Sequence, residues 1–208
     1  MRKTVVLIFL VLIFLCSTAM SETAADWFNK AIALSDGKKF TDPHKAIVYL
    51  SNAIKLQPND AEIYYNRGIA YENLGQYQPA IKDYIQAISL NPAYSEAFYN
   101  RGTIYSEIGQ YQKAIEDFNQ AISLMPDDAE AYHGRGFAYD KLGQYQRALE
   151  DYNKAINLQP NYASAYINRG IYFLSHGNKT IGCSDAQKAC ALGNCKLFET
   201  AKNKGFCP

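Results

Sequence analysis

No cysteine lies between Cys16 and Cys183 in this 208-residue chain. The body of the protein therefore has no internal disulfide framework, and no cysteine pair there can serve metal or thiol chemistry. Histidine is scarce too: His44, His133 and His176 lie far apart, at no metal-ligand spacing. The phosphate-cradling loop, the G-x-S-x-G elbow and the H-E-x-x-H pair are all missing. With no catalytic constellation, the chain reads as a non-enzyme without a cofactor. Charge of one sign is also lacking. The 21 basic and 20 acidic residues leave a formal charge of +1. That excludes the basic field by which nucleic acid is bound.

The N-terminus is built differently from the rest. Met1-Arg2-Lys3 is a short basic start, and Val5–Cys16 follows without a charge. The run is short for a membrane span, which needs about 20 residues. It fits the apolar core of a secretory signal, with small residues at a cut after Ser21. Residues 1–21 are thus expected to be a signal peptide. Its removal takes Arg2 and Lys3, leaving 19 basic against 20 acidic residues and a net charge of −1. Two rival readings stand beside it: a lipidated Cys16, which Leu15 disfavours, and an uncleaved anchor over 5–20. Each places the remaining chain outside the cytosol, periplasmic or secreted; where the signal is cleaved, no membrane span is expected to remain.

What the chain has in abundance is repetition. Pro58, Pro92, Pro126 and Pro160 fall 34 residues apart. So do Gly68, Gly102, Gly136 and Gly170, and again Gly75, Gly109, Gly143 and Gly177. Rows of alanine keep the same step. In one unit, "AEIYYNRGIAYENL" has apolar residues at helical spacing and ends at Gly75, a left-handed helix cap. "QPAIKDYIQAISL" is a second helix, stopped at Asn91 because a proline follows. Small residues mark where the helices cross, and tyrosines fill the wider gaps. A lone hairpin cannot bury its apolar face, so the units must stack.

These residues resemble the tetratricopeptide repeat family. The aromatic, Gly, Tyr, Leu-Gly-x-Tyr, Ala, aromatic, Ala and Pro pattern is matched over 61–94, 95–128 and 129–162. A looser first unit spans 24–60, where "KKFTDPHKA" lengthens the turn. A fifth decays over 163–194, with Gly182 in place of alanine and Asn194 in place of proline. The expected fold is all-α, a right-handed α-solenoid of helix-turn-helix repeats closed by a capping helix over 195–208.

One departure recurs. The position before the first glycine is usually apolar in the family, but here it is Arg67, Arg101, Arg135 and Arg169. Sixteen residues after each comes Asp83, Asp117, Asp151 and Asp185. The spacing predicts an ion pair locking the two helices of one unit; pairing to the neighbouring unit is the alternative.

The tail holds Cys183, Cys190, Cys195 and Cys207. An even count in an exported chain reads as two disulfides. Cys183 and Cys190 lie roughly 10 Å apart along one helix, too far to pair. If Gly193-Asn194 turns the chain, a nested pairing follows, Cys190 with Cys195 and Cys183 with Cys207. A Cys183–Cys195 linkage is the competing pattern. The staple would turn Leu197, Phe198 and Phe206 inward as a cap. The spacings are wrong for a zinc site.

The resemblance implies a concave groove, lined by the first helices, that grips a peptide or protein segment. The phase of the units puts Tyr65, Tyr99, His133 and Ile167 in one row and Ile69, Thr103 and Phe137 in the next. Glu72, Glu107 and Asp140 stand beside them. Aromatics next to carboxylates suit a basic or amphipathic partner. The carboxylate clamp of some family members is not expected, because tyrosines stand where its first lysine would be. The alternative is a self-associating spacer or oligomeric scaffold.

Overall fold

The computed structural model describes residues 22–37 and 39–208; the expected signal peptide lies outside them. The described chain folds into eleven helices, α1 Ala24–Ile32, α2 Pro43–Leu56, α3 Ala61–Asn73, α4 Tyr77–Leu90, α5 Ser95–Glu107, α6 Tyr111–Leu124, α7 Ala129–Lys141, α8 Tyr145–Leu158, α9 Ala163–Ser175, α10 Lys179–Ala191 and α11 Lys196–Asn203. Consecutive helices pack as antiparallel hairpins, and each hairpin packs on the next. The result is the all-α solenoid that the repeat calls for.

The turns inside the three regular hairpins share one chemistry. Gly75 takes a φ of +68°, which an L side chain rarely adopts. Its N–H bonds the Glu72 carbonyl at 2.8 Å, and the Gln76 N–H reaches back to Tyr71 at 2.9 Å. That is the Schellman arrangement, which satisfies carbonyls left open at a helix end. The bond from Gln110 to Tyr105 and that from Gln144 to Tyr139 repeat it. The first, longer turn is closed differently. Phe40 is buried in the first core cluster, and its N–H donates to Asn73 Oδ1 at 2.8 Å.

Helix crossings explain the small residues. A Cβ added to Gly68 would meet Tyr84 Cε1 at 2.6 Å, inside any real contact. Tyr84, Phe118 and Tyr152 are the large, fully buried side chains of three successive hairpins. The cores are separate clusters, one per hairpin or junction, as expected of a stack.

The end of the array is stapled. Cys183 on α10 is bonded to Cys207 beyond α11, with the Cα atoms 5.5 Å apart. Cys190 and Cys195 are bonded across the turn between the two helices. Cys183, Ala201 and Cys207 are buried together, with Leu174 and Phe198 against them. Phe206 departs from the expected cap: it stays 36% exposed, with the Lys179 ammonium 5.1 Å from its ring centroid. Phe206 follows Gly205, whose φ of +67° turns the chain at the end of α11, and the Phe206 N–H bonds the Ala201 carbonyl at 2.9 Å.

Candidate functional site: two inter-repeat locks and a trough

Each repeat arginine makes a two-pronged bond to its aspartate. Arg67 Nε and Nη2 donate to Asp83 at 2.7 and 2.8 Å. Arg101–Asp117, Arg135–Asp151 and Arg169–Asp185 repeat the geometry. The aspartates are buried. Burial opposes the charge of Arg67, but hydrogen bonding to Asp83 and its charge outweigh that and hold the guanidinium's pKa above its ordinary value. Burial pushes Asp117 and Asp151 up, against the pull of their arginines. The remaining nitrogen, Nη1, reaches the preceding hairpin, where Arg67 meets Ser51 Oγ at 3.0 Å and Arg135 meets Asn119 Oδ1 at 2.7 Å. Arg169 does the same with Asn153. In these three arginines the guanidinium thus ties two hairpins as well as two helices. Its plane also lies near aromatic rings one turn to either side, such as Tyr132 and Tyr139 around Arg135.

A second lock joins the first helices of successive hairpins. Tyr65 accepts a hydrogen bond from Asn100 Nδ2 at 3.1 Å, and its ring lies 4.7 Å from that of Tyr94. Two hairpins on, His133 holds the same place. Asn168 Nδ2 lies 3.0 Å from its Nε2 and the Tyr162 hydroxyl 3.2 Å from its Nδ1. With the amide donating to Nε2, the neutral ring carries its proton on Nδ1. Burial lowers the His133 pKa to about 4, with the Ser164 backbone opposing. Tyr65 is pushed up to about 12 by burial, helped by Glu96.

At the junction between these two, the lock is missing. The corresponding residues are Tyr99, Asp128 and Gly134. Asp128 instead caps α7, accepting from the Glu130 and Ala131 N–H groups at 2.9 and 3.2 Å. Here a trough of ≈ 600 Å³ opens along α5, α7 and α9. Six of the groove residues expected from sequence line it: Tyr99, Thr103, Glu107, His133, Phe137 and Ile167. Tyr65, Ile69, Glu72 and Asp140 are not among its lining residues. Tyr65 is engaged in its lock, Ile69 packs between two cores, and Glu72 accepts the Tyr84 hydroxyl at 2.6 Å. Asp140 acts on the buried Tyr152. Ser106, Tyr111, Gly134, Tyr162 and Asn168 also line the trough and were not foreseen. The broken rows at 128 and 134 were the available signal.

Among the described residues, no group of three or more His, Cys, Asp or Glu side chains could hold a metal ion. No described helix is long and apolar enough to cross a membrane.

Models described as TPR repeat match residues 44–75 and 102–143. Those described as tetratricopeptide repeat match 61–94, 84–116 and 129–162. Among curated proteins, none matches the chain. Several solved structures do. MamA 41-end from Desulfovibrio magneticus RS-1 is 27% identical, with a TM-score of 0.72 over 88% of this chain and 98% of that one. YrrB, described as a TPR protein with an unusual peptide-binding site, is 23% identical, with a TM-score of 0.71 over 88% and 94%. PilF of Pseudomonas aeruginosa is 13% identical, with a TM-score of 0.74 over 88% and 86%. The last two likenesses bear on the fold alone. The repeat matches together run from residue 44 to 162, more than half the chain, and with the stacked hairpins they show that this protein belongs to the tetratricopeptide repeat family.

Proposed function

We propose that this chain is an exported, non-enzymatic interaction module that holds a peptide or protein segment in the groove of its first helices. The repeat family and its fold support a protein–protein interaction scaffold. The groove reading is carried by one observation: the trough along α5, α7 and α9, walled by Tyr99, Phe137 and Ile167 and bordered by Glu107. An apolar wall with a few polar groups is the usual form of a recognition site. Its acidic border suits a basic or amphipathic segment. Export is supported by the basic start and charge-free run of residues 1–16, and by cysteines positioned to pair.

The test is a crosslinked pull-down from the native compartment, with the mature chain and a Tyr99→Ala/Phe137→Ala variant as baits. A partner held by the first and lost by the second is the expected result. Equal capture by both would move the contact to the outer, second-helix layer. A self-associating spacer is the second reading. It is favoured by Val48 and Ile85, which are 57% and 48% exposed on second helices. Light scattering decides it, since a monodisperse monomer eliminates the spacer.

A further inference from the structure

We propose that the opening at Gly134 is a specificity subsite, taking one large apolar side chain flanked by lysine or arginine from a partner segment. The inference rests on the groove reading above and gives it a register.

The subsite is written into the sequence as a break in three rows. The first-helix lock needs a ring at 94 or 162 and an amide at 100 or 168. The middle junction has Asp128 and Gly134 there. Asp128 turns to its own helix terminus, and Gly134 has no side chain. The Tyr99 hydroxyl is left without the amide that Tyr65 has; its ring rests on Phe118, 5.8 Å away. Gly134 lets the Phe118 ring come close, since a Cβ there would meet Phe118 Cζ at 2.7 Å, whereas in the sister junctions Asn100 and Asn168 reach toward the hydroxyls of Tyr84 and Tyr152. The third row is the one that serves the buried aromatic. Glu72 receives the Tyr84 hydroxyl, but at the equivalent place Ser106 faces Phe118, which has none. The Ser106 hydroxyl is enclosed without a hydrogen-bond partner, on the wall of the trough.

The charge of the site selects the neighbours of the anchor. No lysine or arginine lines the trough. His133 is neutral near pH 7, its pKa lowered by burial. Glu107 stands on the border, and Glu130 and Asp128 add negative potential at Tyr99 and Tyr162. The Lys141 ammonium lies 4.9 Å from the Phe137 ring centroid, so that ring already has its cation and the partner's charge falls to the side of Glu107, Glu130 and Asp128.

The experiment is selection of displayed random heptapeptides on three proteins. These are the mature chain, a lock-restoring variant (Phe118→Tyr, Asp128→Tyr, Gly134→Asn) and a charge-inverting variant (Thr103→Arg). The first variant copies the chemistry of the Tyr65 junction, and the second puts a cation in the trough without touching a buried side chain. Thermal melts check both folds, and either variant alone decides the question. The expected result is enrichment of one aromatic or large aliphatic residue next to lysine or arginine. The best peptide, synthesised, should bind each variant about tenfold or more weakly. An acidic or wholly polar consensus overturns the proposal. So does undiminished binding by either variant that keeps its fold, which would still leave the groove reading standing on other residues. No enrichment by the mature chain overturns both readings. A dimer of the mature chain that the lock-restoring variant dissociates would make the occupant a second copy, and would sink the proposed peptide.

Discussion

His133 should make the array acid-sensitive, and the size of the effect can be worked out. Its ring is enclosed by Tyr152, Tyr162 and Asn168, and both nitrogens are engaged as a neutral imidazole. Burial lowers its pKa from 6.5 to about 4. A folded-state pKa below the unfolded one means that the unfolded chain takes up the proton first. Stability is therefore complete above pH 6.5 and declines as the pH falls toward 4. At pH 4.5 the loss comes to about 2–3 kcal/mol. Carboxylates titrate in the same range, so the measurement must be differential. His133→Tyr restores the residue type of this row, and its hydroxyl can accept from Asn168 as Tyr65 accepts from Asn100. Urea unfolding of the two proteins at pH 7.5 and pH 4.5 isolates the histidine. The variant should lose less stability on acidification, by about 2 kcal/mol. Equal losses would mean that His133 is solvated or charged in the folded state, and the lock as described would be wrong.

Three further outcomes are expected. Arg135→Met leaves the buried Asp151 without its cation and should cost about 3–5 kcal/mol, whereas the double variant Arg135→Met/Asp151→Leu should recover most of that; a single-variant loss below about 1 kcal/mol would class the pair as a surface one. Gly68→Ala drives a Cβ into the Tyr84 ring and should destabilise by about 1–3 kcal/mol in a thermal melt, despite alanine's better helix propensity; an unchanged melting temperature refutes the crossing. Removing the Cys183–Cys207 bridge, which closes a separation of 24 residues, should cost about 3 kcal/mol, against about 2 for the Cys190–Cys195 bridge. Amide exchange should show that either loss falls on α10 and α11; uniform loss along the array would contradict independent clusters.

The fold was legible because every feature that builds a hairpin is local and recurs. Gly75, Pro92 and the alanine rows act through a turn, a stop and a crossing, and each physical cause lies within one 34-residue period. The site was harder to read because it depends on differences between periods. The row of Tyr65, Tyr99 and His133 shows which face these residues share. Whether a ring faces the groove or leans on its neighbour depends on residues 29 and 35 positions on, where Tyr94 and Asn100 differ from Asp128 and Gly134. Those four identities were in plain view, but their meaning required the stacking geometry. The arginine rows were similar. The aspartate sixteen residues later was visible, while Ser51, Asn119 and Asn153, sixteen residues earlier, lie across a junction that no period displays. Phe206 shows a further limit, since apolar character alone did not say which side of a short stapled tail would be covered.

The two locks are not distributed evenly, and this has a mechanical consequence. The junction between α4 and α5 has the Tyr65 lock, but Arg101 finds Ile85 where its sister arginines find Ser51 or an asparagine. The next junction is the reverse, with Arg135 tied to Asn119 and the first-helix lock missing. The third has both. A junction held by one tie has less side-chain bonding to lose on opening than a junction held by two, so the array should give between α4 and α7 before it gives at the junction next to the stapled end.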